Sequence, residues 1–188
     1  MAKSKKEIEK EILRFLDENS THKGDESLPG CGLRHGIACA LGTCRDNIPR
    51  VTPLDFFNDG LNIWILGDPG GKLVNIRANP NVSVGIYTRM DHSVENRSIQ
   101  LWGKASLITR REQKELFMEM VTKFDVVNAI RRAMQRGMLN IASEADFKAK
   151  VDEALDRETL IKIEPERIFL LISRPEGKME KLIWGKSK

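Results

Sequence analysis

Two polar turn signals, Arg45–Asp46–Asn47 and Asn58–Asp59–Gly60, cut the stretch from His35 to Leu66 into three short, largely apolar segments. Asp, Asn and Gly suit tight turns because they tolerate left-handed backbone or bond to it locally. Turns this short cannot hold a crossover helix, so the segments they join must pair as antiparallel neighbours. The spacing predicts strands over 35–43, 50–57 and 61–66, and it excludes a βαβ unit in this part of the chain.

The rest of the pattern is consistent with that start. Ile8, Ile12, Leu13, Phe15 and Leu16 recur at helical spacing within residues 5–18, which predicts an amphipathic N-terminal helix. Residues 19–30 are polar and read as a loop. Lys72 to Asn79 suits a short helix ended by Pro80. Strand character returns over 82–90 and again over 98–109, where Gly103 permits a bend or bulge. Three helices are expected over 110–124, 126–139 and 143–155, the last capped by Ser143. The chain then reads as strands over 159–163 and 168–172, with a turn at Pro165–Glu166 between them, and a last extended piece at 181–184. About six strands with turns at roughly 8–12-residue spacing suggest a small, closed or partly closed antiparallel barrel. The domain reading is one unit over 1–188, with a helix at 5–18 and a helical insertion at 110–155.

Composition narrows the function classes. The chain has 188 residues, 40% of them apolar and 31% charged, with a net charge of +4. That is ordinary for a soluble globular domain. No apolar run approaches the roughly 20 residues of a membrane span, and the charged N-terminus does not resemble a signal peptide. A cytoplasmic protein with no membrane partner is expected. Both ends are basic, which reads as solvated surface. A small positive excess without aromatic platforms or a recognition helix does not point to nucleic acid. The three cysteines, Cys31, Cys39 and Cys44, are an odd number, and the spacing C-x7-C-x4-C lacks the close pair of zinc and cluster sites. Buried thiols are expected, and no metal site, although His35 lies nearby. The histidines His22, His35 and His92 offer no Ser-His-Asp set, and no catalytic residue can be named. The Asp91–His92 loop is a candidate for the substrate side.

The most informative local feature joins two segments. Arg50–Val51–Thr52–Pro53 lies on a predicted strand. Leu66–Gly67–Asp68–Pro69–Gly70–Gly71–Lys72 reads as a strand end, a glycine loop and a lysine at a helix start. Glycines let backbone N–H groups approach an anion, the helix start adds partial positive charge, and Lys72 adds a full one. Arg50 could fork onto the same phosphate. The stretch is not a P-loop, since GxxxxGK[ST] is absent. The plainer alternative is a strand-to-helix turn with a surface lysine.

The motifs RVTPLDFF, DGLNIWILGDPGGKLVNIRANPNVSV and SIQLWGKASLI, taken in order, resemble the pyridoxamine 5'-phosphate oxidase-like FMN-binding split-barrel family. The resemblance covers about 75 residues, from Gly32 to Ile108. It implies a mainly β fold, a six-stranded split β-barrel of antiparallel Greek-key type with peripheral helices. It also implies a homodimer with two flavin sites at the interface. Arg50 and Lys72 match the residues that hold the FMN phosphate. Val51, Thr52 and Pro53 match the stretch beside the isoalloxazine ring. Ile65, Leu66, Gly67, Gly70 and Gly71 match the strand end and the loop, and Ser98 and Gln100 match residues that approach the flavin. Trp184 is a looser match for a residue covering the site.

The chemistry of the residues fits that assignment. A dianionic phosphate asks for cations, and the ring edges ask for backbone groups and the Gln100 amide. Trp102 or Trp184 could stack on the ring. The chain departs from true pyridoxamine-phosphate oxidases in two places. It lacks their C-terminal arginine and histidine set, and it has Gly-Gly where they carry Ser-Arg before the lysine. Vitamin B6 synthesis is therefore not expected. The family also holds deazaflavin-dependent reductases and haem-handling proteins, and Arg50 with Lys72 favours FMN. The expected function is an FMN-dependent oxidoreductase using a small-molecule substrate or a nicotinamide electron donor. The alternative is a flavin- or haem-binding carrier or sensor without turnover.

Overall fold

The computed structural model describes residues 3–23, 33–34, 36–88, 93–133 and 143–185. Cys31, His35, the Asp91–His92 pair and the 134–139 end of the second expected helix lie outside the described residues.

Helix α1 (Lys5–Asn19) starts with a capping box. Ser4 accepts from the Glu7 amide, and the Glu7 carboxylate accepts from the Ser4 amide at 2.7 Å. Its buried stripe is Ile12, Phe15 and Leu16. Strands β1 (His22–Lys23) and β2 (Leu33–Arg34) form a small ribbon. The main sheet begins with the hairpin β3 (Cys39–Arg45) and β4 (Ile48–Leu54). Its two-residue turn places Asp46 and Asn47 at φ 53° and 60°, a left-handed pair that matches strand twist. There follow β5 (Phe57–Asp59), β6 (Asn62–Gly67), α2 (Gly71–Ala78), β7 (Asn81–Tyr87) and β8 (Asn96–Thr109). Helices α3 (Lys114–Lys123), α4 (Val126–Ala133) and α5 (Glu144–Arg157) separate β8 from β9 (Thr159–Ser173), and β10 (Met179–Gly185) closes the order.

The main sheet has eight strands, all antiparallel, in the order β4-β3-β7-β8-β9-β6-β5, with β10 also on β9. Strand β9 serves two partners along one edge. Residues 159–163 pair with β6 and residues 167–173 pair with β10. Alternation sorts the side chains to two faces. On one face Leu41, Val84, Leu101, Ile161 and Leu170 pack with α1 and α2 into the larger core. On the other, Phe57, Trp64, Ile108 and Leu160 meet Phe117, Met120 and Val121 of α3 and Phe147, Val151 and Leu155 of α5.

Several expectations need correction. The sheet does not close into a split barrel: the path of pairing ends at β4 and at β5, and among the described residues no ladder joins them. Among the described residues, its eight strands replace the expected six, and five helices beside them make the chain α+β rather than mainly β. The physical reason lies at the ends of the path. Pro49 and Pro53 sit on β4 and can offer no N–H to a further strand, and β5 is only 3 residues long. The expected homodimer draws no support from the structure, which holds a single chain. Finally, Pro165–Glu166 does not turn the chain. Strand β9 runs through it, with a register irregularity opposite Trp102 and Gly103.

Candidate anion and cofactor site

The site forms where α2 starts. The first turn of α2 comes against the β3–β4 hairpin, whose register sets Thr43 opposite Arg50. One turn further on, Asn75 Nδ2 donates to Thr43 Oγ1 at 3.1 Å and ties the helix to β3. Gly71 opens the helix beneath the Arg50 guanidinium. A Cβ there would sit 2.8 Å from Arg50 Nη1, so the missing side chain is what gives Arg50 its place. Arg50 makes no hydrogen bond or ion pair among the described residues. No side chain caps α2, and the first amides to find a backbone carbonyl are those of Leu73 and Val74, both on Gly70. The amides of Gly71 and Lys72 thus lie in the part of a helix that ligands or water satisfy.

Lys72 is the unusual residue. Only 8% of it is exposed, yet among the described residues it has no ion pair, and its ammonium donates only to the Asp68 carbonyl at 2.8 Å. Buried ammonium groups are normally paired, because burying an uncompensated charge is costly. Gly67 gives the lysine stem room, since a Cβ there would come within 3.3 Å of Lys72 Cε. Thr52 Oγ1, on the same face of β4 as Arg50, is buried with no hydrogen-bond partner. Two cations with no ion pair among the described residues, two helix-start amides and a hydroxyl with no hydrogen-bond partner fit a phosphate-bearing cofactor such as FMN.

The remaining expected residues divide between the faces. Val51 and Pro53 point away from Arg50 and Thr52, as alternation requires. They share the outer face with Ser98, Gln100 and Trp102. There Trp102 meets Phe169 edge-on at 5.0 Å between centroids, and the Arg167 guanidinium and Lys181 ammonium lie over the Phe169 ring at 4.3 and 3.8 Å. Ile65 is buried in the larger core and Leu66 packs against the second. Trp184 packs against the larger core and donates from Nε1 to Glu9 of α1 at 2.9 Å. Cys39 is buried, and burial pushes its thiol up to about 12, so it remains protonated. Cys44 lies on the opposite face of β3.

One feature of the site has no local sequence signal. Gly67 and Thr159 are the last pair of the β6–β9 ladder, so Asp68 and Glu158 follow it at the same end. Burial, then a hydrogen bond and charge from Asp68, push the Glu158 carboxyl up to about 7, against the pull of Arg157 and Lys72. The two acids are far apart in sequence, and only the register brings them together.

The class defined here is an antiparallel-sheet α+β protein with a cationic, glycine-lined helix start on its larger face. The family follows from sequence: the model of the pyridoxamine 5'-phosphate oxidase family matches residues 32–171, and the chain belongs to that family. No curated protein matches it. Solved structures agree on the fold. An FAD-binding protein from Mesorhizobium loti is 17% identical, over 73% of this chain and 87% of that one, with a TM-score of 0.52. PhzG from Burkholderia lata, in complex with tetrahydrophenazine-1-carboxylic acid, is 14% identical over 80% and 76%, with a TM-score of 0.52. A pyridoxamine 5'-phosphate oxidase-related, FMN-binding protein from Nostoc punctiforme is 12% identical over 79% and 88%, with a TM-score of 0.51. No helix among the described residues is long and apolar enough to cross a membrane.

Proposed function

We propose that the chain binds FMN through the Arg50–Lys72 cradle and acts as a flavin-dependent oxidoreductase on a small molecule. The observation that carries this reading is Lys72, a nearly buried ammonium with no ion pair among the described residues. Family membership and the FMN- and FAD-binding proteins that share the fold support the choice of cofactor. Arg50, Lys72 and the amides of Gly71 and Lys72 hold the phosphate. The Thr52 hydroxyl offers a hydrogen bond on the same face. Ser98, Gln100, Val51 and Pro53 face the other way and are not assigned to the phosphate. When bound, the flavin supplies hydride or electron transfer, and the chain supplies position and charge.

The test is the spectrum of the purified protein, followed by titration with FMN and with riboflavin, which lacks the phosphate. We expect flavin absorption bands and a clear preference for FMN. Lys72→Ala is expected to weaken FMN by roughly 10–100-fold, the loss of one charge-assisted contact, and to leave riboflavin unchanged. A colourless protein that ignores micromolar FMN overturns the reading. Equal loss for both ligands moves the phosphate elsewhere. Reduction assays with NADH and NADPH then read turnover.

A further inference from the structure

The Asp68–Glu158 pair lies beside Lys72, whose ammonium forms no ion pair among the described residues but feels the charge of Glu158. Asp68 follows and Glu158 precedes the last β6–β9 pair, Gly67↔Thr159, so the two acids occupy facing positions at the end of the ladder. Two carboxyl groups set side by side resist ionising together, and a proton on one of them relieves the repulsion. Glu158 Oε2 is buried with no hydrogen-bond partner. The pair and the cation are also joined through the main chain, because Lys72 Nζ donates to the carbonyl of Asp68 itself. The charges felt at Glu158 are those of Asp68 from the β6–α2 loop, Lys72 from α2 and Arg157 from the end of α5. Nearby on the β8 side, Arg110 is already engaged by Asp152 and Asp156.

We propose that this carboxyl pair is a proton-operated control on the anion site. With a proton on Glu158, the Lys72 ammonium is available to the ligand's phosphate. With the proton lost, the Glu158 carboxylate competes with the phosphate for the same charge. The control rests on the FMN reading above and adds a regulator to it. Phosphate binding, by linkage, draws a proton onto the pair.

The test compares FMN affinity in the wild type and Glu158→Gln at pH 6 and pH 8. A phosphate monoester gains its second charge near pH 6, which strengthens binding as pH rises in both proteins. The ratio of the two dissociation constants removes that shared effect. It is expected to be near one at pH 6 and to rise about tenfold by pH 8 against the wild type, the change for one pKa unit of mutual influence. In Asp68→Asn the rise should begin at lower pH, because a neighbour that favours the proton has gone. Riboflavin should show no such change. A ratio that stays constant with pH overturns the proposal while leaving FMN binding intact.

A second readout needs no flavin. Folding raises the proton affinity of Glu158, so between about pH 4.5 and about 7 the folded chain holds more proton than the unfolded one. Stability is therefore full below that window and is lost as pH rises through it. The melting temperature of the wild type should fall across the window relative to Glu158→Gln, and parallel profiles overturn the proposal. If the wild type binds no FMN, orthophosphate replaces it as the probe. Binding of neither ligand overturns both this proposal and the function above.

Discussion

Gly71 is the residue on which the cradle turns. Alanine at a helix start is favourable for the backbone, since glycine costs about 1 kcal/mol against alanine within a helix. Here, however, a Cβ would meet the Arg50 guanidinium at 2.8 Å, and Arg50, as the end of a flexible side chain, would swing away. Gly71→Ala is therefore expected to keep or slightly raise the melting temperature and to weaken FMN severalfold, with riboflavin unchanged. A variant that loses stability and keeps its FMN affinity would show that Arg50 does not serve the phosphate. Much at this scale was legible in the sequence. The basic residue, the glycines and the lysine can be picked out by type, and strand alternation already sets Arg50 and Thr52 against Val51 and Pro53. What could not be read is burial. Lys72 looks like a surface lysine until α2 is seen against the sheet. Glu158 has no distinguishing neighbour in sequence, because its partner arrives through the register of β6 on β9.

At the scale of elements, the irregularity between β8 and β9 decides the shape of the sheet. Gly103 lies opposite Pro165, and a Cβ on it would run into the Glu164 carbonyl. The obstacle is backbone, which cannot swing aside as Arg50 can. Gly103→Ala is expected to cost about 1–3 kcal/mol, the range for overpacking, and to lower the melting temperature accordingly. An unchanged melting temperature would mean that the two strands part easily here. The bulge also explains why the chain does not turn at Pro165–Glu166. Proline and glutamate between two apolar runs are the ordinary marks of a turn. That β9 continues depends on the facing glycine, which makes room for the irregular backbone, and a pairing of that kind has no signature within either strand. The prolines of β4 were equally visible in sequence. Their consequence, an edge that ends the sheet, depends on knowing that β4 has a partner on one side only.

For the whole molecule, the governing fact is that two cores share two strands. The β8–β9 ladder runs from Asn96↔Ser173 to Thr109↔Thr159. Along its second half, Leu107 and Ile161 serve the larger core, and their neighbours Ile108 and Leu160 serve the core under α3 and α5. The helices after β8 are thus not a separable lobe: removing them would bare one face of strands whose other face holds the first core. Phe117 of α3 is fully buried in the second core. Phe117→Ala is expected to cost about 3–5 kcal/mol, the range for emptying a buried aromatic site. Because the strands are shared, that loss should lower the melting of the entire chain in one transition. Trp64 reports on the second core and far-ultraviolet dichroism on the backbone as a whole, so the two probes should give the same midpoint in the variant as in the wild type. An early step, seen as loss of helix signal and exposure of Trp64 while the sheet persists, would show instead that α3–α5 can leave the sheet. In that case Glu158, which caps the end of α5, would lose its packing in the same early step, and the pH dependence of melting would be confined to that step.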